Sequence, residues 1–179
     1  MNKSTVLICL CVAFIFLKNV SAQPVEVSQY TLGSGDTVSI TVYGQEDLSL
    51  ETRLTDIGVI NYPYLGEISV LGMTVSGLEN FIYEGLKGDY LINPSVSVSI
   101  IEYRPFFING EVKDPGGYPY QPGLTVDKAA ALAGGYTERA SKTKIFIDRS
   151  INGKQVTLNA DRYMQILPGD IVNIEQSFF

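Results

Sequence analysis

The tightest constraint on this sequence lies between Ile108 and Gly135, INGEVKDPGGYPYQPGLTVDKAAALAGG, where turn formers and apolar residues alternate at spacings that few folds satisfy. Phe106, Phe107, Ile108 and Val112 are strand formers. Asp114-Pro115-Gly116-Gly117 supplies turn chemistry, proline by fixing φ and the glycines by admitting positive φ, so the chain is expected to reverse before Tyr118 and Tyr120. Gln121-Pro122-Gly123 makes a second turn, and Thr125 stands where an N-cap belongs. Val126, Ala129, Ala130 and Ala133 then form an apolar stripe that Gly134 and Gly135 end. A helix with little beyond methyl groups on that stripe can lie close against a sheet. The stretch reads as a compact ββα unit.

The rest of the chain is punctuated in the same way. Gly33-Ser34-Gly35-Asp36 turns into Thr37 to Tyr43, where Val38, Ile40 and Val42 alternate with Thr and Ser as a half-buried strand does. Glu46 to Leu50 reads as loop, Glu51 to Leu54 as a short strand, and Val59-Ile60 as another, with Pro63 and Gly66 breaking the extended run and Ile68 to Leu71 resuming it. Thr74 caps a helix whose apolar residues Val75, Leu78, Ile82 and Leu86 share one face, and Gly88 stops it. Val96, Val98 and Ile100 alternate with serines in the clearest strand of the chain. Arg104-Pro105 interrupts pairing, which puts a boundary after Tyr103. Further on, Lys144 to Arg149 and Gln155 to Leu158 flank Asn152-Gly153, a strong hairpin signal, and Leu167-Pro168-Gly169-Asp170 feeds Ile171 to Ile174. The turn-and-strand S-G-D-T-V-S-I from Ser34 is echoed by P-G-D-I-V-N-I from Pro168, as two independent turns or as a duplication.

Lys3, the apolar run Val6 to Leu17, Lys18, and small residues at Val20-Ser21-Ala22 are the layout of a secretory signal over residues 1–22, with cleavage expected between Ala22 and Gln23. Both cysteines, Cys9 and Cys11, lie inside that run and would leave with it. Loss of Lys3 and Lys18 takes the formal charge from −6 to −8, which disfavours nucleic acid and anionic lipid as partners. The chain has no histidine, the usual metal ligand and the usual base near neutral pH, and no cofactor or metal site is expected.

Several spaced motifs carry a resemblance. G-E-V-x-x-P-G-G-Y from Gly110 to Tyr118, with T-V-x-x-A-x-x-x-A-G-G from Thr125 to Gly135, resembles the soluble-ligand-binding β-grasp (SLBB) module. Y-x-L-x-x-G-D-x-V-x-I-x-V from Tyr30, D-I-G-V-I-x-x-P-x-L-G-E-I from Asp56 and N-P-S-V-S-V from Asn93 resemble the polysaccharide export domain. Their order is that of outer-membrane polysaccharide export (OPX, Wza-like) proteins. The resemblance implies an α+β protein of two small domains, 24–103 and 104–174, followed by a tail, 175–179. It also implies a non-enzymatic periplasmic component of capsule or exopolysaccharide export in a Gram-negative-type envelope, peripheral to the outer membrane if it reaches it. The implied partners are the exported polysaccharide, an inner-membrane co-polymerase and further copies of the chain in a ring. Longer members carry more β-grasp units and a pore-lining C-terminal helix; this sequence has neither, so a separate outer-membrane barrel protein is expected as a partner. A stand-alone periplasmic carbohydrate-binding module is the alternative.

Three acidic pairs invite a hydrolytic reading: Glu46 with Asp47, Glu111 with Asp114, and Asp161 with Asp170. Glycoside hydrolysis needs two carboxylates about 5 to 10 Å apart across a cleft, and none of these spacings assembles such a pair. Tyr62, Tyr64, Tyr118 and Tyr120 are better candidates for contact with polysaccharide, since eleven tyrosines and no tryptophan leave them as the amphipathic rings; Tyr118 and Tyr120 would share a strand face. For each, half-burial on a sheet is the simpler reading. Arg139, Lys142, Lys144 and Arg149 read first as a solvated rim and second as a partner contact. The apolar strand content is too small for a membrane barrel.

Overall fold

The computed structural model describes residues 30–151 and 153–177. The expected signal over 1–22, its cleavage site at Ala22 and Gln23, Asn152, and Phe178-Phe179 lie outside the described residues.

The first half builds an antiparallel three-stranded sheet from β1 (Thr37–Val42), β2 (Leu50–Arg53) and β5 (Val96–Glu102) in the order β2-β1-β5. A separate hairpin joins β3 (Val59–Tyr62) to β4 (Gly66–Ser69), and helix α1 (Val75–Leu86) packs beside β5. The sequence accounts for each element. Alternation in β1 buries Val38, Ile40 and Val42, and Thr74 accepts a hydrogen bond from the Gly77 N–H as the N-cap of α1. Leu78, Ile82 and Leu86 point into the core, each contributing about 1.5–3 kcal/mol of apolar burial. The loop expected at Glu46 holds a 3-10 turn, Glu46–Leu48, whose Leu48 is buried.

The second half is a five-stranded mixed sheet. Its strands are β6 (Phe106–Gly110), β7 (Gly116–Tyr118), β8 (Ala140–Ile151), β9 (Lys154–Ala160) and β10 (Ile171–Gln176), in the order β7-β6-β10-β8-β9, with helix α2 (Val126–Leu132) between the second and third. β10 is parallel to β6 and every other pairing is antiparallel. First and last strands parallel at the centre, a hairpin on each flank and one crossover helix make the β-grasp arrangement. The protein is α+β. The small-residue stripe of α2 is buried at Val126, Ala129, Ala130 and Ala133, against Phe106, Ile108, Ile145, Ile147 and Val172 among others.

Three local expectations need correction. Gly116 and Gly117 are strand residues of β7 and neither uses positive φ. Gly117 faces Phe107 across the pair, and an added Cβ would stand 2.9 Å from that ring. The left-handed residue is Gly110, at φ +84°, where a Cβ would meet the Ile174 carbonyl oxygen at 2.1 Å. β8 begins at Ala140, four residues before Lys144, because Ala140 pairs with Gln176. For the same reason β10 runs through Glu175 and Gln176, and the expected tail loses those two residues to the sheet. The hairpin at Gly153 stands, with Ile151 opposite Lys154 and Gly153 at φ +74°.

The buried residues form two clusters with no common member, one from Leu32 to Val98 and one from Phe106 to Ile174. The chain passes between them at Tyr103-Arg104-Pro105. Both Gly-Asp turns come together there.

Candidate functional site

The two echoed turns have the same internal construction. In the first, the Asp36 carboxylate accepts the N–H of Gly33 at 2.8 Å, with Gly35 at φ +92°. In the second, Asp170 accepts the N–H of Leu167 at 2.7 Å, with Gly169 at φ +84°. Three residues separate donor and acceptor in each, the spacing of an aspartate closing its own turn. Both carboxylates are buried, so each needs more than one N–H. An arginine from elsewhere supplies it. Arg149 on β8 donates Nε and Nη2 to Asp170 at 2.9 and 2.7 Å, a bidentate fork. Arg104 donates Nη1 to Asp36 at 3.1 Å and its main-chain N–H to the other carboxylate oxygen at 2.8 Å.

Arg104 also reaches across to the second turn, donating Nε to the Pro168 carbonyl at 3.1 Å, while the Gly169 N–H returns to the Pro105 carbonyl at 3.1 Å. Three glycines make room for this side chain. A Cβ at Gly33, Gly35 or Gly169 would stand 1.8, 3.2 or 2.8 Å from an atom of Arg104. The guanidinium is therefore a clamp between the units, closed from both sides by backbone.

Three tyrosines extend the site. Tyr30 donates its hydroxyl to Asp36 at 2.6 Å and accepts from Arg104 Nη1 at 3.0 Å. Its ring meets Tyr103 edge-on at 5.2 Å, and Tyr103 meets Tyr120 edge-on at 5.4 Å. Burial holds all three hydroxyls above the ordinary tyrosine value; the hydrogen bond to Asp36 raises Tyr30 further, and the Asp36 charge raises Tyr103. They stay neutral. With both arginines, Ser150, Gln165 and the Pro168-Gly169 turn, these rings line a cleft of about 460 Å³ between the two units. The cleft combines aromatic surface with fixed N–H donors, and its carboxylate is already spent on Arg149.

Comparison with known proteins fits this two-part construction. Residues 24–101 match the family model described as polysaccharide biosynthesis/export protein, and residues 105–159 match the SLBB domain. The chain belongs to the polysaccharide export family. It is 39% identical to the exopolysaccharide production protein ExoF of Rhizobium meliloti over 99 residues, 53% of this chain and 23% of that protein. It is 28% identical over 187 residues to the EPS I polysaccharide export outer membrane protein EpsA of Ralstonia nicotianae, covering 84% of this chain and 48% of that one. The polysialic acid transport protein KpsD of Escherichia coli is 28% identical over 148 residues, 79% of this chain and 25% of its own length. The chain thus spans less than half the length of each of these relatives.

The four expected contact tyrosines separate in the structure. Tyr62 is 1% exposed and donates to the Leu48 carbonyl at 2.6 Å, so burial removes it from the candidates. Tyr64 is 65% exposed in the β3–β4 turn at φ 64°, stacked on Tyr90 at 4.7 Å. Tyr118 is half-buried, stacked on Phe106 at 6.0 Å, with its hydroxyl on the Asp114 carbonyl. Tyr120 alone of the four lines the cleft. The basic rim is corrected at Arg149, whose side chain is only 17% exposed and fully engaged with Asp170 on one edge. Arg139 is paired with Glu111 at 3.5 Å, and Glu111 also accepts from the Thr137 hydroxyl.

The sequence reading missed Arg104 and the tyrosines Tyr30 and Tyr103. The usable signal was the echo itself: two Gly-Asp turns entering apolar strands bury two carboxylates, and buried carboxylates require cations.

Proposed function

We propose that this chain is a non-enzymatic component of capsular or exopolysaccharide export across the cell envelope, acting in the periplasm as a ring-forming conduit or adaptor. The observation that carries this reading is the export domain followed directly by an SLBB unit, in a chain similar over 84% of its length to a polysaccharide export outer membrane protein. Two features support the non-enzymatic part. Asp36 and Asp170 are each buried and committed to an arginine and a turn N–H, and Glu111 is committed to Arg139 and Thr137. None is left as an acid or base facing a partner carboxylate, as hydrolysis of a glycoside requires.

Among the described residues no helix is long and apolar enough to cross a membrane, and the strands make three separate sheets of three, five and two strands. The partners are the exported polysaccharide, an inner-membrane co-polymerase and an outer-membrane barrel protein that completes the crossing. Deleting the gene should abolish surface polymer while lipid-linked repeat units continue to form; normal surface polymer in the deletion strain refutes the export role. Light scattering on the purified protein tests the ring, which a monomeric mass excludes. The second reading, a stand-alone carbohydrate-binding module, is favoured by the tyrosine-lined cleft and predicts surface polymer that persists in the deletion strain.

A further inference from the structure

We propose that the cleft between the two units is a binding site for a short run of uncharged sugar residues, held by ring contacts with Tyr103 and Tyr120 and by hydrogen bonds from Arg104 and Arg149. The proposal rests on the polysaccharide reading above and adds the place and the chemical class of the ligand.

The donors come first. Arg104 uses Nε and Nη1 for Pro168, Tyr30 and Asp36, and Arg149 uses Nε and Nη2 for Asp170 and Gln165. Among the described residues no acceptor meets Nη2 of the first or Nη1 of the second, and both residues line the cleft. These N–H groups sit on planar forks already locked at their other nitrogens. A ligand oxygen would therefore be bound without the cost of ordering a long side chain.

The surface for the sugar's C–H face is equally fixed. Tyr103 touches Tyr30 on one side and Tyr120 on the other at 5.2 and 5.4 Å, which holds the central ring in one orientation. A sugar ring is apolar on its C–H face and hydroxylated at its rim, and it needs this combination of aromatic surface and fixed donors. The volume of about 460 Å³ lies within the usual range of small-molecule sites, about 300–1,000 Å³.

Charge decides the class. Arginines in a cleft ordinarily point to an acidic ligand, but here each guanidinium charge is matched by a buried carboxylate, at 3.1 Å in Arg104–Asp36 and 2.7 Å in Arg149–Asp170. Among the described residues no other cation lines the cleft, and the whole chain carries a formal charge of −6. A carboxylated sugar would enter a neutral site on a negative protein and lose its hydration for no added Coulombic partner. Hydroxyl oxygens lose far less on entry and still find the N–H donors.

The test is a titration of the full mature chain, followed by amide and tyrosine-ring NMR, with four probes: cellotetraose, maltotetraose, xylotetraose and the acidic tetragalacturonate. Saturable shifts clustered at Tyr103, Tyr120, Gly123 and Gly169 are expected with at least one neutral probe at millimolar concentration, with tetragalacturonate about tenfold weaker or more. Ser150→Trp, which fills the cleft from an exposed strand position, should abolish the shifts, and Tyr103→Leu, which keeps bulk but removes the ring, should weaken them. Unchanged resonances of Val126 to Leu132 certify that both variants are folded. The proposal is overturned by silence from all three neutral probes, by tetragalacturonate binding as tightly as they do, or by shifts that survive both substitutions. Silent titrations together with lost surface polymer in the deletion strain would discard the cleft assignment and keep the export role. Cleft binding with normal surface polymer would do the reverse.

Discussion

Replacing Arg104 by alanine removes a side chain that bonds to both Gly-Asp turns. The substitution deletes the hydrogen bonds to Asp36 at 3.1 Å, Tyr30 at 3.0 Å and Pro168 at 3.1 Å, and it leaves Asp36 fully buried with no cation. Truncating one partner of a buried ion pair costs about 3–5 kcal/mol. Asp36 would still accept from the Tyr30 hydroxyl, the Gly33 N–H and the main-chain N–H of residue 104, at 2.6, 2.8 and 2.8 Å. Those surviving donors place the loss at the low end, about 3 kcal/mol. Urea unfolding read by tyrosine fluorescence is the assay, since the chain contains no tryptophan to mask it. Because the same guanidinium bridges the units, the variant should also unfold in two steps where the parent unfolds in one. Asp36→Asn combined with Arg104→Ala closes a double-mutant cycle, which isolates the pair from the lost packing. A midpoint change worth less than about 0.5 kcal/mol, as for an ordinary surface substitution, would refute the clamp.

Two further substitutions probe neighbouring features. Gly110→Ala forces a side chain into a left-handed residue 2.1 Å from the Ile174 carbonyl oxygen, so the central β6–β10 pairing should fail, at a cost of about 3 kcal/mol or more. Gly116→Ala, with open space and ordinary φ, should change stability by less than about 0.5 kcal/mol, and amide exchange along β10 separates the two outcomes. The hydroxyl of Tyr136 is pushed up to about 12 by burial, then by the charge of Asp127 and the hydrogen bond to it at 3.2 Å. Its folded value exceeds the ordinary 10.0, so its contribution to stability is complete below that pH and is lost as the pH rises towards about 12. Tyrosinate absorbance, with Tyr136→Phe subtracted to isolate the group, should show Tyr136 ionising above the ordinary 10.0, and Asp127→Asn should bring it earlier; ionisation of Tyr136 at the ordinary value would contradict the assignment.

Much of this fold is readable from local chemistry. Helices α1 and α2 sit where capping threonines, apolar spacing and terminal glycines put them, because those signals act within a few residues of one another. Strands β1 and β5 follow their two-residue alternation for the same reason. The motifs of both modules are likewise local, so the family was legible without coordinates.

Other properties depend on what lies across the sheet. Tyr62 and Tyr64 are two residues apart and chemically identical, yet one hydroxyl is buried on the Leu48 carbonyl while the other ring stands in solvent on Tyr90. Gly117 reads as a turn residue until Phe107 is found lying over it. The parallel β6–β10 pair joins segments more than sixty residues apart, and no local pattern encodes its register. The cleft is the extreme case. Its ion pairs, Asp36–Arg104 and Asp170–Arg149, link residues 68 and 21 positions apart. The sequence by itself determined that two aspartates would close two glycine turns, since that bond spans three residues. Which arginine neutralises each, and that both turns meet over one guanidinium to form an aromatic-lined cleft, was decided only when the two cores packed and burial made an unpaired carboxylate too costly to leave.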